Sequence, residues 1–380
     1  LFLLSAMTFV HMMEERHLFL ALRSWLIARD FSLRKVFWVT GSATFMLSPV
    51  VDNLSAALLM GSVVMAVGGR TPEFVALGCL NVVVAANAGG VFSPFGDITS
   101  LMVWQAGHLN FSEFIYLLPA ALINWLVPAL IISLKVPDGP PQAVHKRQRM
   151  KQGALIVTGL FVATAALSVV VHTQLGLPPV LGMMTGLGVL KLYGFYLSHH
   201  DPMLREMELR QHHADTLANT RETKGDHVQV VRRFDMFRVV ERASWDTLMF
   251  FYGVVLCVGG LATLGYLQLV STGLYGHLGS TWGNLSLGLA SSLVDNIPIM
   301  YAVLSMDQTM PLAEWLLLTL VIGTGGSLLA IGSAAGVALM GQASGIYTFR
   351  SHLKWSWAIL LGYLLSSGVQ IIVARSLGVS

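Results

Sequence analysis

The sequence predicts an all-α polytopic membrane protein made of two inverted-topology repeats, each with a re-entrant hairpin and a discontinuous transmembrane helix. Three observations carry this expectation. Of 380 residues, 54% belong to the set AVILMFWYC and 11% are charged, against roughly a quarter charged in a soluble domain. Several apolar runs are broken near their middles by Pro, Gly, Asp and Asn. The same breaks recur, in the same order, in the second half of the chain.

Composition excludes an ordinary soluble enzyme. Cys79 and Cys257 both lie in apolar stretches, so neither a disulfide framework nor a cysteine zinc site fits. The formal charge of +3 is small and its basic residues sit in short loops. That placement sets membrane topology and gives no nucleic-acid partner.

Ten membrane-embedded units are expected, at about 1–13, 36–68, 74–107, 113–134, 153–171, 179–198, 246–270, 283–306, 313–345 and 355–374. The first would rise only about 20 Å as a helix, short of a hydrocarbon core of roughly 30 Å. Because the chain also begins with Leu1, helices preceding it are expected to be missing. Units 36–68 and 74–107 are 33 and 34 residues long, about 50 Å if straight. The first is broken at Ser48-Pro49-Val50-Val51-Asp52-Asn53 and the second at Asn87-Ala88-Gly89-Gly90 through Ser93-Pro94-Phe95-Gly96-Asp97. Irregular backbone at membrane depth survives only where protein or a water-filled cavity satisfies it, so consecutive breaks point to a binding cavity.

The pair recurs as Val294-Asp295-Asn296-Ile297-Pro298 and Gly323-Thr324-Gly325-Gly326 through Gly332-Ser333. Val-Asp-Asn repeats at an offset of 243, and the Gly-Gly, five residues, Gly pattern repeats at 236. Lys and Arg concentrate in Arg16–Lys35, Lys135–Lys151, Arg205–Arg242 and Arg350–Lys354, while the loops 107–112, 172–178, 271–282 and 307–312 carry none. The basic segments share the cytoplasmic side only if the two Asp-containing hairpins enter from opposite faces, which leaves the C-terminus outside.

The domain reading follows. A first repeat spans 1–134, with an interfacial amphipathic helix at about 14–35, hairpin 36–68 and broken helix 74–107. A basic cytoplasmic loop spans 135–152. A second repeat spans 153–374, with a cytoplasmic linker 199–245, hairpin 283–306 and broken helix 313–345. The linker carries eight Lys/Arg, eight acidic residues and five histidines and reads as a solvated connector ahead of a metal-binding tract.

Of the 20 acidic residues, Asp52, Asp97 and Asp295 lie deep in these units, whereas Glu73, Glu113, Asp246 and Glu314 sit at edges. An unpaired intramembrane charge costs at least about 2.5–3.5 kcal/mol on insertion scales. With no Lys or Arg in those units placed to neutralise them, a bound cation or a proton is expected to do so. Burial favours the protonated acid and a bound Na+ the carboxylate, so the two compete for one group. A site that alternates its exposure and does not cross while empty then exchanges them. Asn53, Ser93, Thr99, Asn296, Thr324, Ser327 and Ser333 supply hard oxygen donors suited to Na+ or Li+. Asp52 and Asp295 are the expected Na+ ligands. Asp97 has a second reading as the cap of a half-helix starting at Ile98, as do Asn53 and Asn296. His11, His17, His108, His172 and His277 lie near interfaces, where an ordinary interfacial role outweighs pH sensing.

The stretches SPVVDNLSAALL, NVVVAANAGGVFSPFGDITSLMVWQ, SLVDNIPIMYAVL and EWLLLTLVIGTGGSLLAIGSAAGVALMGQ resemble the NhaD-type sodium/proton antiporters of the ion transporter superfamily, from Glu14 to about Trp357. The resemblance implies exchange of Na+ or Li+ for H+ across a bacterial inner membrane, no cofactor and a homodimer. It places the family's polar positions at Asp52, Asn53, Asn87, Ser93, Asp97, Thr99, Asp295, Asn296, Ser327 and Ser333. Sodium-coupled dicarboxylate carriers of the same superfamily carry Ser-Asn-Thr at the hairpin tips, where this chain has Val-Asp-Asn. An intramembrane aspartyl protease would need Gly at 94, which is Pro94.

Overall fold

A computed structural model describes residues 1–27, 31–68, 71–139, 150–151, 153–200, 245–306, 309–376 and 378. Residues 201–244 of the expected linker, with three of its five histidines, and most of the basic loop 135–152 lie outside the described residues. Among the described residues every regular element is helical. Five helices among these residues are long and apolar enough to cross a membrane. The chain is therefore a multi-pass helical membrane protein.

In chain order the helices are α1 (Phe2–Glu15), α2 (Leu18–Ile27), α3 (Leu33–Val51), α4 (Asn53–Gly68), α5 (Pro72–Gly90) and α6 (Ile98–Gln105). A 3-10 turn (Phe111–Leu117) leads into α7 (Leu118–Ser133), followed by α8 (Ala154–Leu175), α9 (Val180–His200), α10 (Trp245–Thr263) and α11 (Tyr266–Ala290). The last five are α12 (Asn296–Leu304), α13 (Leu312–Gly325), α14 (Ala334–Gln342), α15 (Phe349–Leu353) and α16 (Ser356–Ser376).

The chain divides into two compact units, one of Leu1–Ala21 with Gln148–Leu248 and the other of Leu22–Arg147 with Met249–Ser380. In the smaller, α1 packs on α8 and α9, with Phe9 tilted against Phe161 at 5.3 Å between ring centroids. Gly182 and Gly186 lie against Ser168 and Thr164, so α8 and α9 approach through small residues, the usual means of close helix contact in lipid.

The larger unit holds both sets of breaks, and several of its helix pairings have counterparts. Helix α3 packs on α5 as α11 packs on α13, and α5 on α7 as α13 on α16. Helix α4 meets α14 as α12 meets α6. The contacts recur residue by residue. Pro49 lacks the N–H that the Phe45 carbonyl would accept in a helix, and Gly89 packs directly on that carbonyl. In the second half Gly325 packs on the Gly288 carbonyl, at the same offsets. Ser48 Oγ donates to Ala86 O at 2.6 Å, and Ser291 Oγ to Ile322 O at 3.1 Å.

A buried scaffold fixes the first of these helix pairs. Phe45 stacks on Trp125 at 5.3 Å, and Trp125 Nε1 donates to Asn81 Oδ1 at 2.9 Å. Asn81 Nδ2 in turn donates to Phe37 O at 2.8 Å. With both ends of its amide satisfied, buried Asn81 ties α3, α5 and α7 together, where an orphan amide would cost several kcal/mol.

Two expectations change. The segment 271–282, expected as a loop, is helical on both sides of Gly279 (φ 73°, ψ 171°), and the run joining α10 and α11 bends by 80°. The 80° bend falls at Leu264 and Gly265, where Gly265 takes φ 80°, a conformation that glycine adopts without steric cost. The interfacial helix expected at 14–35 is interrupted instead: α1 runs to Glu15, His17 takes φ 60° and α3 begins at Leu33.

Candidate cation site

The breaks create four half-helix N-termini, and three of them begin at an Asp. Asp52 precedes α4, Asp97 precedes α6 and Asp295 precedes α12, while Ser333 precedes α14. A helix N-terminus concentrates unpaired N–H groups and positive potential, which stabilises an adjacent carboxylate. This is a source of compensation that counting Lys and Arg along the sequence overlooks.

Asp52 is half-buried, and its Oδ1 accepts from Ser55 N at 2.8 Å. Its backbone sits at φ 70°, ψ 154°, a region that side chains other than glycine enter at a cost of order 1–3 kcal/mol. The next residue anchors the turn, because Asn53 N donates to Gly96 O at 3.0 Å. The turn between α3 and α4 is thereby tied to the break between α5 and α6. A Cβ at Gly96 would lie 2.8 Å from Ser48 O and 2.6 Å from Gly90 O. This crowding explains the glycine.

Asp97 is the most enclosed of the three carboxylates, at 4% exposure. Oδ1 accepts from Thr99 N at 3.5 Å, and Oδ2 accepts from Thr99 Oγ1 at 2.8 Å and from Asn296 Nδ2 at 3.2 Å. Capping and membership of a polar cluster, alternatives on the sequence alone, coexist. Asn296 is buried and belongs to the other half of the chain, so the Asp97 bond joins the two sets of breaks. Asp295, half-buried at the start of α12, is near enough to Asp97 for the two charges to repel.

A second chain of amides and hydroxyls crosses between the halves. Asn53 Nδ2 donates to Asn87 Oδ1 at 3.2 Å, and Asn87 Nδ2 donates to Ser327 Oγ at 2.8 Å. Asn87 and Ser327 are fully buried. The structure thus joins Asn53, Asn87 and Ser327 in one group and Asp97, Thr99 and Asn296 in another.

Three expected members use their side chains locally. Ser93 Oγ accepts from Phe95 N within the first break, Thr324 Oγ1 donates to Leu320 O in its own helix, and Ser333 caps α14 by accepting from Gly336 N. Two of the edge residues are also structural. Glu113 forms a capping box with Asn110, and Glu314 accepts from Asn284 and Thr281. Of the histidines, His108 stacks on Trp315 at 3.8 Å and 11°, and His172 contacts Leu177 O.

Sequence reasoning missed His352 and Tyr347, both buried. Tyr347 Oη lies 2.6 Å from His352 Nδ1, and His352 Nε2 lies 2.9 Å from Ser327 O. The signal against them was their position beside Arg350 and Lys354, in a segment that reads as a basic loop.

Comparison with known proteins gives the family. A family model described as citrate transporter, CitMHS, matches residues 1–323. The chain is 52% identical over 363 residues to a protein of Vibrio parahaemolyticus named Na(+)/H(+) antiporter NhaD, covering 96% of this chain and 87% of that one. The chain belongs to the CitMHS family, on its NhaD branch. A Vibrio cholerae protein of the same name is 53% identical over 366 residues, covering 96% of this chain and 76% of its own. More distant kinship reaches a plant, with 28% identity over 351 residues to sodium/proton antiporter 2 of Arabidopsis thaliana, covering 89% and 76%. Within this member of the NhaD branch the chemistry available is that of carboxylates surrounded by amide and hydroxyl oxygens, a donor set that suits hard monovalent cations.

Proposed function

We propose that this chain is a secondary transporter, not an enzyme, that exchanges Na+ or Li+ for H+ across the bacterial inner membrane. Asp52, Asp97 and Asp295 bind cation and proton in competition, with Asn53, Asn87, Thr99, Asn296 and Ser327 supplying or orienting oxygen donors; Ser93, Thr324 and Ser333 shape the breaks around them. No cofactor takes part beyond the transported ions. The protein works as a homodimer in the lipid bilayer, with basic loops in the cytoplasm and the C-terminus outside.

The observation that carries this reading is the bond from Asn296 to buried Asp97. It couples a carboxylate of one broken helix to the hairpin tip of the opposite half, so a change in its charge is felt by both. The names of the NhaD relatives support Na+ and H+ as the ions. The paired contacts at offsets 243 and 236 support two repeats, 1–134 and 153–374, which the positive-inside pattern makes inverted, with 36–68 and 283–306 as re-entrant hairpins.

The citrate-transporter name of the family model favours a second reading, a sodium-coupled di- or tricarboxylate carrier. Such a carrier offers half-helix N-termini to its anion. Here three of the four begin with an aspartate, which repels a carboxylate substrate. Cation exchange is therefore the better fit.

The test uses everted membrane vesicles containing the full-length protein and a preformed pH gradient reported by a fluorescent amine. Addition of Na+ or Li+ is expected to collapse the gradient, with K+ in parallel. No response to Na+ or Li+ at pH 7–9, together with sodium-dependent uptake of citrate or succinate, would replace the exchanger by the anion carrier.

A further inference from the structure

The break between α13 and α14 leaves the carbonyl of Ser327 outside the helical ladder. Its counterpart in the first half, at the offset of 236, is Val91, whose carbonyl accepts from Ser100 Oγ at 3.1 Å. The residue at the same offset from Ser100 is Gly336, which has no hydroxyl and packs directly on the Ala330 carbonyl. The second break is held from outside itself instead. His352 Nε2 meets Ser327 O at 2.9 Å, and Ser356 Oγ donates to Leu328 O at 2.6 Å.

A carbonyl can only accept, so Nε2 carries the hydrogen. In the neutral ring Nδ1 then accepts, and the Tyr347 hydroxyl donates to it across 2.6 Å. Tyr347 thus fixes both the tautomer and the orientation of His352. From Ser327 the connection continues through its hydroxyl to Asn87 and on to Asn53 at the first hairpin tip.

We infer that His352, oriented by Tyr347, is a positioning residue for the cation site: it holds Ser327 in the second break and thereby sets the amide of Asn87 against Asn53. The inference rests on the cation-exchange reading above. It differs from a general stabilising role because it acts through one named atom, the Ser327 carbonyl. Its loss therefore loosens the cation's surroundings while leaving the carboxylates in place.

The experiment measures the Na+ concentration for half-maximal exchange, and the maximal rate per amount of protein, in everted vesicles. The full-length wild type is compared with His352→Ala, His352→Gln, Tyr347→Phe, Ser327→Ala and the His352→Ala/Ser327→Ala double variant. His352→Ala is expected to raise the half-saturating Na+ concentration about tenfold, the lower end for loss of an outer-shell partner, at little change in maximal rate. Tyr347→Phe shifts it in the same direction by less. His352→Gln, whose amide can still donate to the carbonyl, recovers part of the loss. In the Ser327→Ala background the His352 substitution adds little, because the link to Asn87 is already gone. Unchanged half-saturation in both His352→Ala and Tyr347→Phe, or fully independent effects in the double variant, overturns the inference. If His352→Ala fails to reach the membrane, Tyr347→Phe, which removes a single oxygen, decides. A wild type without Na+ response contradicts the exchange reading itself, so the two failures are distinct.

Discussion

Asn296 Nδ2 donates to Asp97 Oδ2 at 3.2 Å, linking residues 199 positions apart at the start of α12 and at the break between α5 and α6. Asp97→Asn keeps a side chain able to cap α6 but removes the charge. The expected outcome is normal membrane levels with exchange abolished. Asn296→Ala leaves a buried carboxylate oxygen one donor short, which costs about 1–3 kcal/mol, and lowers both the thermal midpoint and the apparent Na+ affinity. Vesicle assays and thermal unfolding in detergent check the two variants. Wild-type exchange in Asp97→Asn would remove Asp97 from the ion-handling groups.

Asp52 separates charge from strain. Asp52→Asn tolerates a positive φ better than most residues and can still cap α4, so it should fold and fail to exchange. Asp52→Gly relieves the backbone at φ 70°, an effect of order 1 kcal/mol that offsets the lost cap. Its thermal midpoint should match or exceed that of Asp52→Ala. Both remain inactive. Asp295→Asn is likewise expected to abolish exchange without loss of protein from the membrane.

Small residues at the breaks should differ sharply from those elsewhere. A methyl group at Gly89 would run into the Phe45 backbone carbonyl, which cannot move aside, and Gly89→Ala should destabilise by about 1–3 kcal/mol. Gly188, inside α9, has open space where a methyl group would sit, with nothing within 4 Å. Gly188→Ala should be neutral or stabilise by up to about 1 kcal/mol. Thermal midpoints of the two purified variants test the contrast.

Much of this site is legible in the sequence because membrane burial makes each polar break conspicuous. Asp52, Asp97 and Asp295 stand out against apolar surroundings, and the offsets 243 and 236 anticipate the matching contacts of Ser48 with Ala86 and Ser291 with Ile322. The bonds between halves are not legible. Nothing local distinguishes Asn87, whose partners are Asn53 and Ser327, from Asn81, which serves the scaffold with Trp125 and Phe37. His352 is hidden for a related reason, since its flanking Arg350 and Lys354 make the segment read as solvated. The kink at Gly279 reads as a loop because a glycine bend and a loop share composition.

One histidine outside the membrane spans gives a pH test. His17, between α1 and α2, has its imidazole held below its ordinary range, first by burial and then by the Lys151 charge, with Glu15 opposing. Lys151 is brought close by its backbone bond to Arg16 O at 3.0 Å. A depressed histidine means that the unfolded chain takes up the proton first, so stability is full at higher pH and falls as pH drops through the ordinary histidine range. His17→Gln should flatten the decline in thermal midpoint between pH 7.5 and about 5.5. Lys151→Gln should reduce it partly. An identical pH slope in wild type and His17→Gln would show that another group sets it.

The central claim is that cation and proton compete for the same carboxylates. The direct measurement is the half-saturating Na+ concentration and the maximal exchange rate of the purified full-length protein in proteoliposomes, across a series of pH values. Competition predicts that half-saturation rises with proton concentration as pH falls while the maximal rate at saturating Na+ is retained. A half-saturating Na+ concentration independent of pH, with only the maximal rate changing, would contradict it.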